Sequence, residues 1–176
     1  MIRIAVLGDV GSGKSHVAKQ FGYPVFNADE EIVKLYRKSR KCYKKLQKVL
    51  PEYITSFPVK KITKIIHPEV RYRMSNFLKK NKNKKFIILD IPLLMENKIN
   101  KKNDILIFVD AKKKIINKKL KKRPNFNPKI IKKFKKLQLP VEIKKKQSDF
   151  IIKNNFKSNS IKKNVKKVLE IILSDA

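Results

Sequence analysis

Apolar residues along the chain gather into five short runs with few polar interruptions. A strand buried on both faces has this continuous pattern, whereas a strand with one face in solvent alternates apolar and polar residues. The runs therefore predict a parallel sheet that is covered by helices. The predicted strands are residues 2–7, 24–27, 86–91, 105–109 and 150–152.

Between these runs, apolar residues recur at intervals of three and four, which is the period of an amphipathic helix. The clearest stripe consists of Ile161, Val165, Val168, Leu169 and Ile172. Helices are predicted over residues 14–21, 30–48, 68–80, 112–122 and 160–173. Alternation of strands and helices indicates an α/β domain with a doubly wound sheet.

The length and composition are those of one globular domain. The chain has 176 residues, of which 41% are apolar, enough for a sizeable core but too few for a second full domain. Residues 1–176 are therefore treated as a single domain. Subdomains inserted into it remain compatible with this length.

The net charge of +32 has two interpretations. A polyanionic partner, such as nucleic acid or an anionic membrane surface, is one. The other is compositional bias, because only six of the 46 basic residues are Arg and the Lys residues are scattered through every predicted helix. A nucleic-acid surface normally uses more Arg, with aromatic residues between the charges. We therefore favour compositional bias and expect no nucleic-acid or membrane partner.

The compartment is predicted from one cysteine and from the chain start. Cys42 is the only cysteine, so no internal disulfide framework can form. The first residues resemble a strand rather than a signal peptide, and the longest apolar stretch, residues 86–95, is too short to span a bilayer. We expect a soluble cytoplasmic protein that is a monomer or a small homo-oligomer.

A glycine-rich loop follows the first predicted strand. Three of the four glycines of the chain lie in it, and a lysine and a serine end it. Such a loop points backbone N–H groups at phosphate oxygens, the lysine reaches the β and γ phosphates, and the serine hydroxyl ligates Mg²⁺. A glycine-rich turn with a chance Lys-Ser pair is the competing interpretation. The predicted residues for binding ATP are Gly8, Asp9, Val10, Gly11, Ser12, Gly13, Lys14, Ser15 and His16.

A second acidic position belongs with this Walker A loop. The apolar run at residues 86–89 ends in Asp90, which is the Walker B pattern that holds Mg²⁺ directly or through water. An ordinary aspartate at the end of a strand has the same appearance. With the loop upstream we favour a metal site formed by Ser15 and Asp90.

Three stretches, in order, resemble the dephospho-coenzyme A kinase family over nearly the whole chain. The first is the loop followed by Val-Phe-Asn-Ala-Asp at residues 25–29. The second is Ile-His-Pro at residues 66–68 with Asp-Ile-Pro-Leu-Leu-Met-Glu at residues 90–96. The third is Gln-Leu-Pro at residues 138–140 with Ser-Asp-Phe-Ile-Ile-Lys-Asn-Asn at residues 148–155.

This resemblance implies a fold and an activity. The fold would be that of P-loop NTPases, with a five-stranded parallel sheet flanked by helices, an inserted helical subdomain at about residues 30–82 that binds coenzyme A, and a lid at about residues 122–147. The activity would be transfer of the γ-phosphoryl group of ATP, with Mg²⁺, to the ribose 3′-hydroxyl of dephospho-coenzyme A, the last step of coenzyme A synthesis.

The resemblance also assigns roles to residues outside the loop. Asp29 would accept the proton of the attacking hydroxyl, although an aspartate there can also cap a helix that begins at Glu30. Arg123 would clamp the transferring phosphoryl group from the lid, and a solvated arginine at a helix end is the alternative. Lys14 completes the predicted catalytic set.

The remaining assignments concern the two substrates. Asn154 matches a position near the adenine of ATP, or else is a turn residue after a strand. His67, Pro92 and Leu93 are assigned to the acceptor, while His67 is equally explained as a buried structural residue or a helix cap.

The chain departs from the family pattern at several positions, and the largest departure bears on the acceptor. Phe156 stands where glycine often follows the asparagine pair, and Lys144 stands about where an arginine near the lid is common. The stretch of residues 37–66 is shorter than usual. Two alternatives therefore stay open: another nucleoside or nucleotide kinase, and a P-loop protein that binds nucleic acid.

Overall fold

The computed structural model describes residues 1–38, 59–124 and 126–174. The strands are β1 (Ile2–Gly8), β2 (Val25–Asn27), β3 (Phe86–Asp90), β4 (Ile105–Asp110) and β5 (Phe150–Lys153). The helices in these ranges are α1 (Lys14–Gln20), α2 (Ala28–Lys38), α3 (Val59–Lys80), α4 (Lys113–Lys121), α5 (Pro128–Leu137), α6 (Val141–Lys146) and α7 (Ser158–Ser174).

The five strands form one parallel sheet in the order β2-β3-β1-β4-β5. Strand β1 lies in the middle, where Ile4 pairs with Ile88 of β3 and with Ile105 of β4. The sheet places the carboxyl ends of β1 and β3 side by side, so the glycine-rich loop and Asp90 emerge at the same edge. This edge of an open α/β sheet is where ligands bind. The predicted fold class is confirmed.

The chain divides into two compact units, which are residues 1–25 with 83–176, and residues 26–82. The core of the first unit forms where α1 and α7 cover the sheet. Its centre consists of Ile4, Val6, Val17, Ile88, Ile107 and Ile161, all fully buried. Continuous apolar strands fit this environment because residues on both sides of a covered strand are removed from water.

The second unit packs α2 against α3. Leu35 and Ile66 form one buried apolar cluster. The ring of Phe26 lies 5.5 Å from the ring of Phe77, and Arg73 donates a 3.1 Å hydrogen bond to the Glu31 carboxylate. This unit contains the described part of the range 30–82 that we expect to bind the acceptor. That role stays a prediction.

Helix boundaries differ from the sequence-based ones at two places in this unit. Helix α2 begins at Ala28 rather than at Glu30. The reason is that Asn27, the last residue of β2, is the N-cap: its side chain accepts the Glu30 N–H at 2.9 Å. Helix α3 begins at Val59 rather than at residue 68, and it continues through Pro68. Residues 39–48 of the predicted second helix lie outside the described residues.

The expected lid range contains two helices that were not predicted from the sequence, α5 and α6. Asn127 caps α5, since its side chain accepts the N–H groups of Lys129 and Ile130, and Pro128 occupies the first turn. Helix α5 buries none of its residues. The capping sequence Asn-Pro was the available signal for it.

Within the described ranges, no helix is both long and apolar enough to cross a membrane.

Packing of α7 on the sheet gives a test of the fold. Replacing Ile161, which is fully buried, by alanine should lower the free energy of unfolding by about 2–5 kcal/mol through lost burial and a cavity. The same change at Ile171, which is 47% exposed on the same helix, should alter it by less than about 0.5 kcal/mol. Urea denaturation followed by circular dichroism measures both. Equal losses would contradict the packing of this helix.

Candidate active site

The loop between β1 and α1 has a backbone that only glycine adopts easily. Gly11 and Gly13 have φ values of +82° and +88°, where a side chain would strain the backbone. A Cβ on Gly11 would lie 2.9 Å from the side chain of Leu120. The loop therefore requires glycine for two reasons, its positive φ angles and its close contact with α4.

The polar groups of the loop fit a phosphate ligand. Lys14 folds over the loop, and its Nζ lies 3.2 Å from the carbonyl oxygens of both Gly8 and Asp9. The Oγ of Ser12, a residue 1% exposed, has no hydrogen-bond partner among the described residues. Gly13 caps α1 without a side chain. Backbone N–H groups, an ammonium and the end of a helix are the donors that bind phosphate.

Asn154 holds the loop from behind. Its Nδ2 donates a 2.7 Å hydrogen bond to the Ser12 carbonyl, and its Oδ1 accepts the Phe156 N–H at 2.7 Å. The residue is 4% exposed. A Cβ on Gly13 would lie 2.4 Å from this Nδ2. The contact between Asn154 and the loop thus depends on glycine at position 13.

The predicted metal site has one hydroxyl and one carboxylate. Ser15 is exposed in the first turn of α1, and Asp90 is 3% exposed at the end of β3. The described residues contain no cluster of three or more His, Cys, Asp or Glu side chains able to hold a metal. Two protein ligands still fit Mg²⁺, which usually keeps several waters and binds substrate phosphates.

A small cavity lies at the loop and brings several predicted residues together. It is lined by Gly8 and Lys14 from the loop region and by Pro92 and Leu93 after β3. Leu93 has a φ of +56°, unusual for a branched side chain. The predicted acceptor residues 92 and 93 therefore line the same cavity as Lys14, the lysine predicted to bind phosphate.

Lys144, which is not among the predicted site residues, also lines this cavity. It lies on α6 and is 3% exposed, and its Nζ is 3.8 Å from a carboxylate oxygen of Glu96. The same oxygen accepts the Leu139 N–H at 2.8 Å. Glu96 therefore joins the segment after β3 to the beginning of α6.

Burial lowers the pKa of Lys144, while the negative charges of Glu96 and Asp9 oppose that shift. A buried ammonium is costly unless it is paired. At this position it adds a second positive charge beside Lys14. The signal in the sequence was the match of Lys144 to a position where an arginine near the lid is common.

Comparison with known proteins places this geometry in a family. A sequence model described as dephospho-CoA kinase matches residues 58–160, more than half of the chain. The match excludes the glycine-rich loop, so it does not rest on a motif that many nucleotide-binding proteins share. The chain belongs to the dephospho-CoA kinase family. This confirms the resemblance stated from the sequence.

Individual relatives agree with the family assignment. A dephospho-CoA kinase from Bartonella quintana is 30% identical over 193 residues, which cover 98% of each chain. A structure from Thermus thermophilus has a TM-score of 0.76 at 24% identity and covers 99% of this chain and 97% of its own. The dephospho-CoA kinase structure from Campylobacter jejuni has a TM-score of 0.64 at 21% identity, with 97% and 96% covered. Both structures support the fold.

The motifs that resemble the dephospho-CoA kinase family make contacts that explain their residue types. Asp149 accepts the Leu106 N–H at 2.7 Å and its own N–H is bonded to the Leu106 carbonyl, so it attaches the start of β5 to β4. Glu96 and Asn154 make the links described above. Much of the family pattern therefore maintains the shape of the site.

Three predicted site residues are not among those that line this cavity. Asp29 is in the first turn of α2, within the second unit, and Arg123 is exposed just after α4. His67 lies inside α3, so its interpretation as a helix cap is wrong. The cap interpretation of Asp29 is also wrong, because Asn27 caps that helix. Their catalytic and binding roles stay predictions.

His67 contributes to a basic depression on α3. It is lined by Lys64, His67, Pro68 and Arg71, which share one face of the helix. Burial lowers the pKa of His67, and the positive charge of Arg71 lowers it further. His67 is therefore more readily neutral than an ordinary histidine, and the positive charge of the depression comes from its lysine and arginine.

The hydrogen bond behind the loop can be tested by a single change of amide to carboxylate. Asn154→Asp keeps the side-chain shape but places an oxygen against the Ser12 carbonyl, so it should cost about 1–3 kcal/mol of stability. The affinity for ATP should fall by about tenfold or more, because the loop loses its support. Urea denaturation and isothermal titration calorimetry measure the two effects.

Asn155→Asp is the matched control. Asn155 is exposed, and its Oδ1 acceptor role toward the Lys157 N–H survives the change. It should leave stability and ATP affinity close to those of the parent protein. Equal effects at both positions would contradict the role of Asn154.

Proposed function

We propose that this protein transfers the γ-phosphoryl group of ATP to the ribose 3′-hydroxyl of dephospho-coenzyme A. The observation that supports this most is the cavity at the loop, where Lys14 and Lys144 lie beside Pro92 and Leu93 in a chain of the dephospho-CoA kinase family. Phosphoryl transfer requires positioning and charge neutralisation above all. Two ammonium groups beside a loop shaped for phosphate supply both.

The donor binds along the loop in this proposal. The N–H groups of residues 11–15 surround the β and γ phosphates, and Lys14 exchanges its carbonyl contacts for phosphate oxygens. Lys144 faces the same charge from α6. Mg²⁺, held by Ser15 and Asp90 together with phosphate oxygens, would neutralise the charge that develops on the β–γ bridge.

The acceptor reacts by in-line displacement. The carboxylate of Asp29 accepts the proton of the 3′-hydroxyl while the ribose 3′-oxygen bonds to the γ phosphorus. The bond between the γ phosphorus and the β–γ bridging oxygen breaks, and ADP leaves. Arg123 stabilises the transferring group from the lid, where the forked guanidinium suits phosphate oxygens better than an ammonium does. The basic depression around His67 suits the phosphate groups of a coenzyme A moiety.

The alternatives are weaker. Relatives named as dephospho-CoA kinases cover nearly the whole chain, so another small-molecule kinase has less support. No contact among the described residues favours nucleic acid, and the charge of +32 is mostly lysine. The acceptor assay below tests the first alternative directly.

Turnover with a panel of acceptors tests the proposed activity. ADP release should be fastest with dephospho-coenzyme A and slow with nucleosides or nucleoside monophosphates. Asp29→Asn should reduce kcat by about 10²–10⁴-fold, the usual contribution of a general base. Lys14→Met should reduce it by about 10²–10³-fold through lost charge stabilisation.

Glu30→Gln is the control for Asp29, because it removes the neighbouring carboxylate of the same helix turn. It should retain the parent kcat. A preference for nucleoside monophosphates, or equal losses at positions 29 and 30, would count against the proposal.

The role of Lys144 gives a pH prediction. Its pKa is lower than that of an ordinary lysine, so its charge is lost as pH rises through that lowered value, below 10.5. Bound phosphate favours the charged form, so ATP affinity should fall over this range. In Lys144→Arg the guanidinium stays protonated, and the fall should be smaller.

Calorimetric titration with ATP at a series of alkaline pH values measures this difference. Lys14, Glu96 and Asp9, the other charged groups around Lys144, are the same in both proteins. The difference between the two profiles therefore reports on position 144. Superimposable profiles would show that Lys144 does not face the phosphates.

A further inference from the structure

Phe156 has an unusual backbone conformation beside the phosphate loop. Its φ is +63°, in the left-handed region that bulky residues rarely occupy. The residue follows Asn154 by two positions, and its N–H is bonded to the Asn154 side chain. A glycine would adopt this conformation without strain, so phenylalanine at this position costs conformational free energy.

Packing in the core does not account for that cost. Among the described residues, Phe156 is absent from the core that α1 and α7 form on the sheet and from the apolar residues packed against that core, and it is not one of the buried apolar residues. The side chain is partly exposed. Strain that the core does not explain is typical of ligand-binding positions.

The ring is held at the rim of the loop. Its Cε1 lies 3.3 Å from the place where a Cβ on Gly13 would be, so the ring edge contacts the last glycine of the loop. The Nζ of Lys119 lies 4.7 Å from the ring centroid, over one face. The ammonium thus lies over one face of the ring, and the loop contacts its edge.

The side-chain amide of Asn154 already bonds to the protein backbone at both of its polar atoms. Its amide is bonded to the Ser12 carbonyl at one end and to the Phe156 N–H at the other, and the residue is 4% exposed. An adenine beside it would find little of this side chain to bond. The predicted role of Asn154 near adenine is therefore better explained as support of the loop.

We propose that Phe156 is the surface on which the base of the bound nucleotide stacks, through the ring face opposite Lys119. The inference rests on the proposed use of a nucleoside triphosphate. A base that extends from phosphates held at Gly13 meets the ring at the rim of the loop. Stacking on an aromatic ring tolerates any base, because every base has a π face. ATP and GTP therefore bind with similar affinity.

Binding measurements with three ligands test this inference. ATP, GTP and inorganic tripolyphosphate are titrated calorimetrically into the parent protein, Phe156→Gly and Phe156→Leu. Leucine keeps apolar bulk but not the flat face, and glycine removes the strain, so the glycine variant folds at least as stably. Both variants should bind ATP and GTP at least about fivefold more weakly. Tripolyphosphate affinity should not change.

Ile151→Ala is the control, since it shortens an exposed apolar side chain on β5, five residues before Phe156. It should bind all three ligands like the parent protein. Equal losses for tripolyphosphate and ATP would show that Phe156 only shapes the loop, and no loss would show that it does not contact the base. Either result overturns the inference.

The binding assay needs no acceptor, so its outcome is distinguishable from that of the activity assay. A parent protein that binds ATP through Phe156 but does not phosphorylate dephospho-coenzyme A would retain this inference and contradict the proposed function.

Discussion

The hydrogen bond from the Asn154 amide to the Ser12 carbonyl is the contact on which the geometry of the site depends. It joins the segment after β5 to a loop that follows β1, 142 residues earlier in the chain. The bond is short and buried, and no side chain can be accommodated at Gly13 while it exists. Leu120 closes the other side of the loop against Gly11. The loop is therefore preorganised for phosphate by packing from two directions.

The rest of the site is assembled by a second connection. Glu96 bonds to the backbone at Leu139 and lies near Lys144, so the segment after β3 and the helix α6 meet beside Lys14. Lys144 is thereby buried in the lining of the cavity that also contains Lys14. A buried ammonium with one carboxylate at 3.8 Å is incompletely paired, and an anionic ligand improves its environment. On the proposed function, phosphate binding would therefore stabilise the charged form of this residue.

Sequence patterns predicted the sheet well because the central strands β1, β3 and β4 are buried on both faces and are therefore continuously apolar. The glycines at positions 8, 11 and 13 predicted the loop because their special backbone leaves few alternatives. Helices α5 and α6 were not predicted, although Ile130, Phe134 and Leu137 of α5 recur at helical spacing. In the folded chain that apolar face is not buried, so α5 differs from the core helices in its packing and not in its sequence pattern. The start of α2 was misplaced because the cap was attributed to Asp29 and not to Asn27.

Long-range contacts were beyond any local pattern. Nothing near Lys144 in the sequence indicates that Glu96, 48 residues earlier, lies beside it. The family resemblance places Asn154 near the adenine of ATP, which stays a prediction, whereas its partner in the structure is the loop backbone. The residue types in these motifs are thus explained by contacts that only the folded chain brings together.

The central claim is that this site phosphorylates one particular hydroxyl. Phosphorus NMR and mass spectrometry of the product formed from ATP, Mg²⁺ and dephospho-coenzyme A test it most directly, with the 3′-deoxy analogue as the matched acceptor. The account predicts one new phosphomonoester on the ribose 3′-oxygen and no product from the analogue. Phosphate at another position, product from the analogue, or hydrolysis of ATP without transfer would contradict it.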